Sequence, residues 1–166
     1  MTISTLKDLY VDQLQDLYSA NRQAVKATRE LHEAAHSAEL RKALSAGAEG
    51  IEEGMSEIKR LIEGHDANPR GEHCRGMEGL VAEARAHGVE ADFSDEDVRD
   101  ASIIAQYQRM THYGISGYGT LAAFARKLGL EEDAGVLARC LEDTRGGDKK
   151  MTAIASGEVN PAAAEA

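Results

Sequence analysis

Leu6, Tyr10, Leu14, Leu17, Ala20, Ala24, Val25, Thr28 and Leu31 recur in steps of three and four. That is the period of an α-helix, and it gathers these residues on one stripe. A second stripe runs through Leu40, Leu44, Ile51, Met55, Ile58 and Ile62. Such stripes leave a chain little choice, because each must be buried against another. Proline would break them, and it occurs only at Pro69 and Pro161. Strand-like alternation is absent.

The punctuation divides the chain further. Ser4 or Thr5 can cap the first helix, and His36-Ser37 separates it from a second that reaches about Glu63. Gly64 to Arg70 reads as a loop. A short helix fits Cys74–Ala86, with Met77, Leu80, Val81 and Ala84 on its apolar side, and Gly88–Phe93 is a second loop. Ser94, followed by Asp95, Glu96 and Asp97, opens a long helix by capping and by charge on its dipole. It runs to about Leu128, where Gly129 closes it. A last helix follows from Glu131 to about Ala155, then a small polar tail expected to fray. The fold class predicted is all-α: an antiparallel four-helix bundle with a short extra helix between the second and third long helices. Residues 1–156 form one domain and 157–166 a flexible tail.

Charge excludes several functions. Lys and Arg number 19 against 29 Asp and Glu, a formal net charge of −10. A field of that sign repels phosphate backbones and anionic lipid surfaces, so neither nucleic acid nor membrane is an expected partner. No apolar run approaches the roughly 20 residues of a membrane span. The N-terminus has no basic segment leading into an apolar one. Cys74 and Cys140 form no CxxC pair. Two reduced thiols and a cytoplasmic location are therefore expected.

Five short motifs occur in order along the chain. They are Leu9-Tyr10 with Asp16-Leu17-Tyr18-Ser19-Ala20; Cys74 with Met77-Glu78-Gly79-Leu80; Arg99-Asp100-Ala101; His112-Tyr113 with Tyr118-Gly119-Thr120; and Asp148 with Thr152-Ala153-Ile154-Ala155. Together they resemble the YciF/YciE-like stress proteins of the ferritin-like superfamily, over about residues 4–156. The resemblance implies a ferritin-like bundle, a homodimer and a bacterial stress role. It also implies a di-metal site, in which glutamates and ExxH pairs of facing helices hold two iron or manganese ions.

Position by position, this chain departs from that ligand set. The relatives carry Glu where this chain has Asn21, Gly50, Thr111, Gly114 and Thr144. These replacements fall on all four long helices and remove the charge that would hold two cations. Glu49, Glu52, Glu53, His112, Asp143 and Asp148 remain. Glu49, Glu52, His112 and Asp148 are weak candidates for a single ion. An i, i+3 carboxylate pair such as Glu49 and Glu52 shares a helix face, but a solvated acidic face reads the same way. His112 serves as well for a structural hydrogen bond as for a ligand. His73-Cys74 lacks the third partner a nucleophilic thiol needs.

Glycine is the oddest feature, with 16 in all. Gly47, Gly50, Gly54, Gly114, Gly117, Gly119, Gly146 and Gly147 lie inside expected helices. Each costs about 1 kcal/mol against alanine there, so some must make room for something. Removing glutamates and ions together leaves a void. The helices close up on it, or it holds water bonded to Asn21, Thr111 and Thr144, or it admits a small ligand. The favoured expectation is a non-catalytic, stress-associated bundle with no cofactor and a vacated, largely uncharged space. The alternatives are an iron- or manganese-binding oxidoreductase with rearranged ligands, and a small-ligand-binding bundle.

Overall fold

The computed structural model describes residues 2–166. Helix α1 spans Leu6–Ala34. Thr5 caps it in a reciprocal box: the Thr5 hydroxyl accepts from the Asp8 N–H, and the Asp8 carboxylate accepts from the Thr5 N–H at 2.9 Å. Three residues later Ser37 caps α2, Ala38–Gly64. A turn this short folds α2 back along α1. It is pinned from outside, because the wholly buried Asp100 accepts from the His36 and Ser37 N–H groups at 2.8 and 2.7 Å.

The connection to the next long helix carries the short one. Cys74 caps α3, Arg75–Ala84, with its sulfur accepting from the Met77 N–H at 3.4 Å. A π-helical turn, Arg85–Glu90, continues it. There Gly88 is buried so tightly that a Cβ would overlap the Leu31 side chain. Helix α4, Glu96–Lys127, begins one residue later than the Ser94 cap would start it, because the Asp95 carboxylate accepts from the Val98 N–H at 3.0 Å. Gly129, at φ +72°, turns the chain into α5, Glu131–Ile154. The segment expected as a fraying tail is instead helical: a π turn Ala155–Val159 leads into α6, Asn160–Ala163, and Val159 is buried at 2% exposure.

Helices α1, α2, α4 and α5 form the four-helix bundle, all-α as predicted. Packing is heaviest within the two hairpins, α1 with α2 and α4 with α5. The hairpins meet through α1 with α4 and α2 with α5. Contacts at the ends fix direction. Tyr10 at the start of α1 bonds Asp133 at the start of α5, while Asp100 at the start of α4 reaches the end of α1. Neighbouring helices are therefore antiparallel, and the crossover from residue 65 to 95 leaves α2 and α4 running the same way. Helix α3 packs on α1 and α4.

The core includes Tyr10, Leu14, Leu31, Leu40, Leu44, Ile58, Ile62, Ile103 and Leu137, all fully buried. Both sequence stripes thus point inward. The apolar side of α3 also faces inward, with Met77 and Val81 buried in the core of their own chain.

Candidate functional site

Helices α2 and α5 touch, but the bundle is not filled along much of the surface they turn to each other. A cavity of about 610 Å³ opens there, and Asn21, Gly50, Thr111, Gly114 and Thr144 all lie on its wall. The structure therefore brings these residues of all four long helices to one space. Close packing, one of the three outcomes open from the sequence, is not what the helices do.

Local sequence explains the space. Gly47 and Gly54 give up side chains so that two tyrosines from α4 can reach across, since a Cβ at Gly47 would overlap the Tyr107 hydroxyl and one at Gly54 the Tyr118 hydroxyl. Gly50 lies between them, and a Cβ there would have no atom within 4 Å. On the facing wall, a Cβ at Gly114 would meet only the Thr144 methyl, at 4.0 Å. Gly117 does a different job, sitting against Leu17.

The polar groups of the floor are neutral. The Asn21 amide donates to the Tyr118 hydroxyl at 2.9 Å, and both residues are buried. Burial raises the Tyr107 and Tyr118 phenols above their ordinary value, Tyr118 the more, so both stay protonated at neutral pH. Thr111 and Thr144 donate to the Tyr107 and Cys140 carbonyls of their own helices, at 2.9 and 2.7 Å. Burial also pushes the Cys140 thiol on the cavity wall up to about 11. Charge appears elsewhere on the lining: Glu53 and Glu57 from α2, with Arg139, Asp143 and Lys150 from α5. The lining of the space is thus not wholly uncharged.

These residues do not fit a pair of cations. The five positions offer one amide and two hydroxyls already bonded to helix carbonyls, with no carboxylate. Two divalent ions need several carboxylates to offset their mutual repulsion. Among the described residues, no three His, Cys, Asp or Glu side chains are grouped to hold one ion.

The four weaker candidates do not meet at one place. Glu52 pairs with Arg29 across α1 and α2 at 2.6 Å, and Glu49 lies by a shallow depression beside Arg29 and His32. His112 is 62% exposed and pairs with Asp148 across α4 and α5 at 3.0 Å. Asp148 also accepts from Gln108. All four fall outside the lining of the cavity. Sequence reasoning placed Thr28 on an apolar stripe and gave Arg139 and Cys140 no role, yet all three line the cavity. Their spacing carried no signal, since each reads as one turn of an ordinary helix.

Two other polar clusters staple the bundle. The Tyr113 hydroxyl donates to Asp16 at 2.9 Å and lies 2.9 Å from the Cys74 sulfur. Burial raises the Cys74 thiol, so it is a poor nucleophile. At the other end Asp133 accepts from Tyr10 at 2.8 Å and meets His65 at 2.7 Å, while Lys7 reaches the far ring nitrogen of His65 at 2.6 Å.

Fold and cavity together define a crossover four-helix bundle with an interior space whose floor is neutral. The chain belongs to the family described as Domain of unknown function (DUF892), which it matches over residues 5–164. It is 34% identical to Protein YciF of Escherichia coli strain K12 over 161 residues, 96% of each chain. The crystal structure of that E. coli stress protein superposes with a TM-score of 0.88 at 33% identity, covering 95% of this chain and 99% of the other. YcfI of Rhodopseudomonas palustris superposes at 0.84 with 30% identity, over 90% and 94% of the two chains. A protein of Xanthomonas campestris shares the fold at 0.76 with 16% identity, over 95% of each. Among the described residues, no helix is long and apolar enough to cross a membrane.

Proposed function

We propose that this chain is a bacterial stress-associated, non-catalytic bundle whose di-metal site has degenerated. The observation that carries the reading is the meeting of Asn21, Gly50, Thr111, Gly114 and Thr144 around one cavity with no carboxylate among them. Membership of the YciF-like family supports the stress role, and the R. palustris relative, described as structural, supports a non-enzymatic one. Neutral groups are what such a site requires once its ions are gone, because five facing carboxylates without cations repel one another. We further propose, from the family likeness, a cytoplasmic homodimer, to be checked by light scattering over a wide concentration range.

The test of the metal reading is elemental analysis of protein expressed in medium rich in iron and manganese, after mild chelation. Well under one equivalent of either metal per chain is expected. Two equivalents surviving chelation would favour the rearranged oxidoreductase and overturn this reading.

A further inference from the structure

Thr28 is wholly buried on the cavity wall, and its hydroxyl has no hydrogen-bond partner among the described residues. That is unusual. A buried hydroxyl without a partner carries a desolvation cost that native structures avoid or offset with an ordered water, an ion or a guest. Threonine in a helix can return its proton to the carbonyl one turn back, as Thr111 and Thr144 do here. Thr28 does not. Elsewhere on the cavity wall, the Tyr118 hydroxyl accepts from Asn21.

We propose that the cavity binds a neutral, mostly apolar small molecule that carries one hydroxyl or carbonyl, with that group bonded to Thr28. The inference rests on the reading above that the cavity holds no metal pair. The volume of about 610 Å³ lies within the range of small-molecule sites, roughly 300–1,000 Å³. Ala24, Ala43, Met77, Met110 and Val136 supply apolar wall. The few polar groups stand on helices rather than loops, which limits the orientations open to a ligand, and a small turn of the fully buried Thr28 side chain brings its hydroxyl to the cavity. The buried floor is uncharged, and the charged lining has three acids against two bases, so an anion would gain nothing there. Glycines at positions 50 and 114 keep the space open, where any larger side chain would enter it.

The test uses naphthalene, 1-naphthol and sodium 1-naphthoate, titrated into the full chain by fluorescence or calorimetry after chelation and metal analysis. Saturable binding of 1-naphthol at one per chain is expected. Naphthalene should bind about fivefold more weakly, the worth of one net hydrogen bond. Naphthoate should bind at least ~10-fold more weakly than 1-naphthol, from the cost of burying its charge. Thr28→Val should bring 1-naphthol down to the level of naphthalene and leave naphthalene unchanged. Gly50→Leu and Gly114→Leu, made separately, should abolish binding of both while circular dichroism shows an intact helical fold. In the unaltered chain, 1-naphthol should slow modification of Cys140 by methyl methanethiosulfonate. No saturable binding to metal-free protein would overturn this proposal and leave the metal-free reading standing, whereas two equivalents of resident metal would overturn both. Binding that ignores both glycine variants, or a preference for naphthoate, would also overturn it. A preference for naphthol that survives Thr28→Val would overturn the bond assigned to Thr28.

Discussion

Asp100 of α4 holds Ser37 of the α1–α2 turn by accepting its N–H at 2.7 Å, from a position with no solvent exposure. The second carboxylate oxygen takes the His36 N–H, so one side chain satisfies two backbone donors. Removing it leaves both donors without that acceptor. Asp100→Ala is expected to cost about 2–4 kcal/mol, read as a lower midpoint in urea. A loss under about 0.5 kcal/mol would mean that water replaces the carboxylate without penalty.

The cavity glycines separate into two kinds. Gly54→Ala drives a Cβ into the Tyr118 hydroxyl, which Asn21 holds in place, so Tm should fall. Gly50→Ala meets nothing within 4 Å and gains helix propensity, so stability should rise by up to about 1 kcal/mol. Thermal melts of the two variants, side by side, check the contrast in sign.

Restoring Glu at positions 21, 50, 111, 114 and 144 tests whether the cavity still has the frame of a metal site. The five-fold variant should melt below the parent without metal, since crowded carboxylates must be protonated or strained. Adding manganese or ferrous iron should raise its Tm and leave the parent's unchanged. Melting that ignores metal in both proteins would show that the five positions do not converge closely enough.

Alkaline pH should destabilise the fold through its tyrosines. Burial raises the Tyr10, Tyr113 and Tyr118 phenols, with hydrogen bonds to Asp133 and Asp16 adding to it for the first two. A raised phenol keeps its proton in the native state, while the unfolded chain releases it near pH 10. The stabilisation is therefore complete below about pH 10 and is lost as pH rises beyond it. Urea midpoints at pH 9 and 11 should show the fall, with a smaller fall in Tyr10→Phe. Absorbance at 295 nm should show these three phenols ionising only as the protein unfolds.

Neither thiol should react readily. Cys74 is buried and Cys140 is raised to about 11. At pH 8 a disulfide reagent should label both slowly in the native state and at once in guanidinium.

The stripes from Leu6 to Leu31 and from Leu40 to Ile62 made the bundle legible, because a period of 3.6 residues is enough to say which side is buried. The caps were legible to within one residue, Asp95 taking the place expected of Ser94 since either side chain can accept from the first turn. The helical end was not legible. Small polar residues suggest fraying, and only the tertiary burial of Val159 decides otherwise. The cavity was half legible. Substituted glycines and threonines marked where the helices would leave space, but Thr28, Arg139 and Cys140 declare themselves only through the packing of α1 and α5.

The crossover has a consequence for motion. Turns join α1 to α2 and α4 to α5, and α3 lies over α1 and α4. The α2–α5 seam has neither a connecting turn nor a covering helix, so the bundle resembles a book bound along α1, α3 and α4 with its pages free at the cavity. Opening that edge breaks contacts between hairpins while each hairpin stays folded, which places it among the low-energy, sub-global openings of the molecule. Amide exchange along the inner turns of α2 and α5 should then run ahead of exchange in α1, and the cavity would breathe without the protein unfolding.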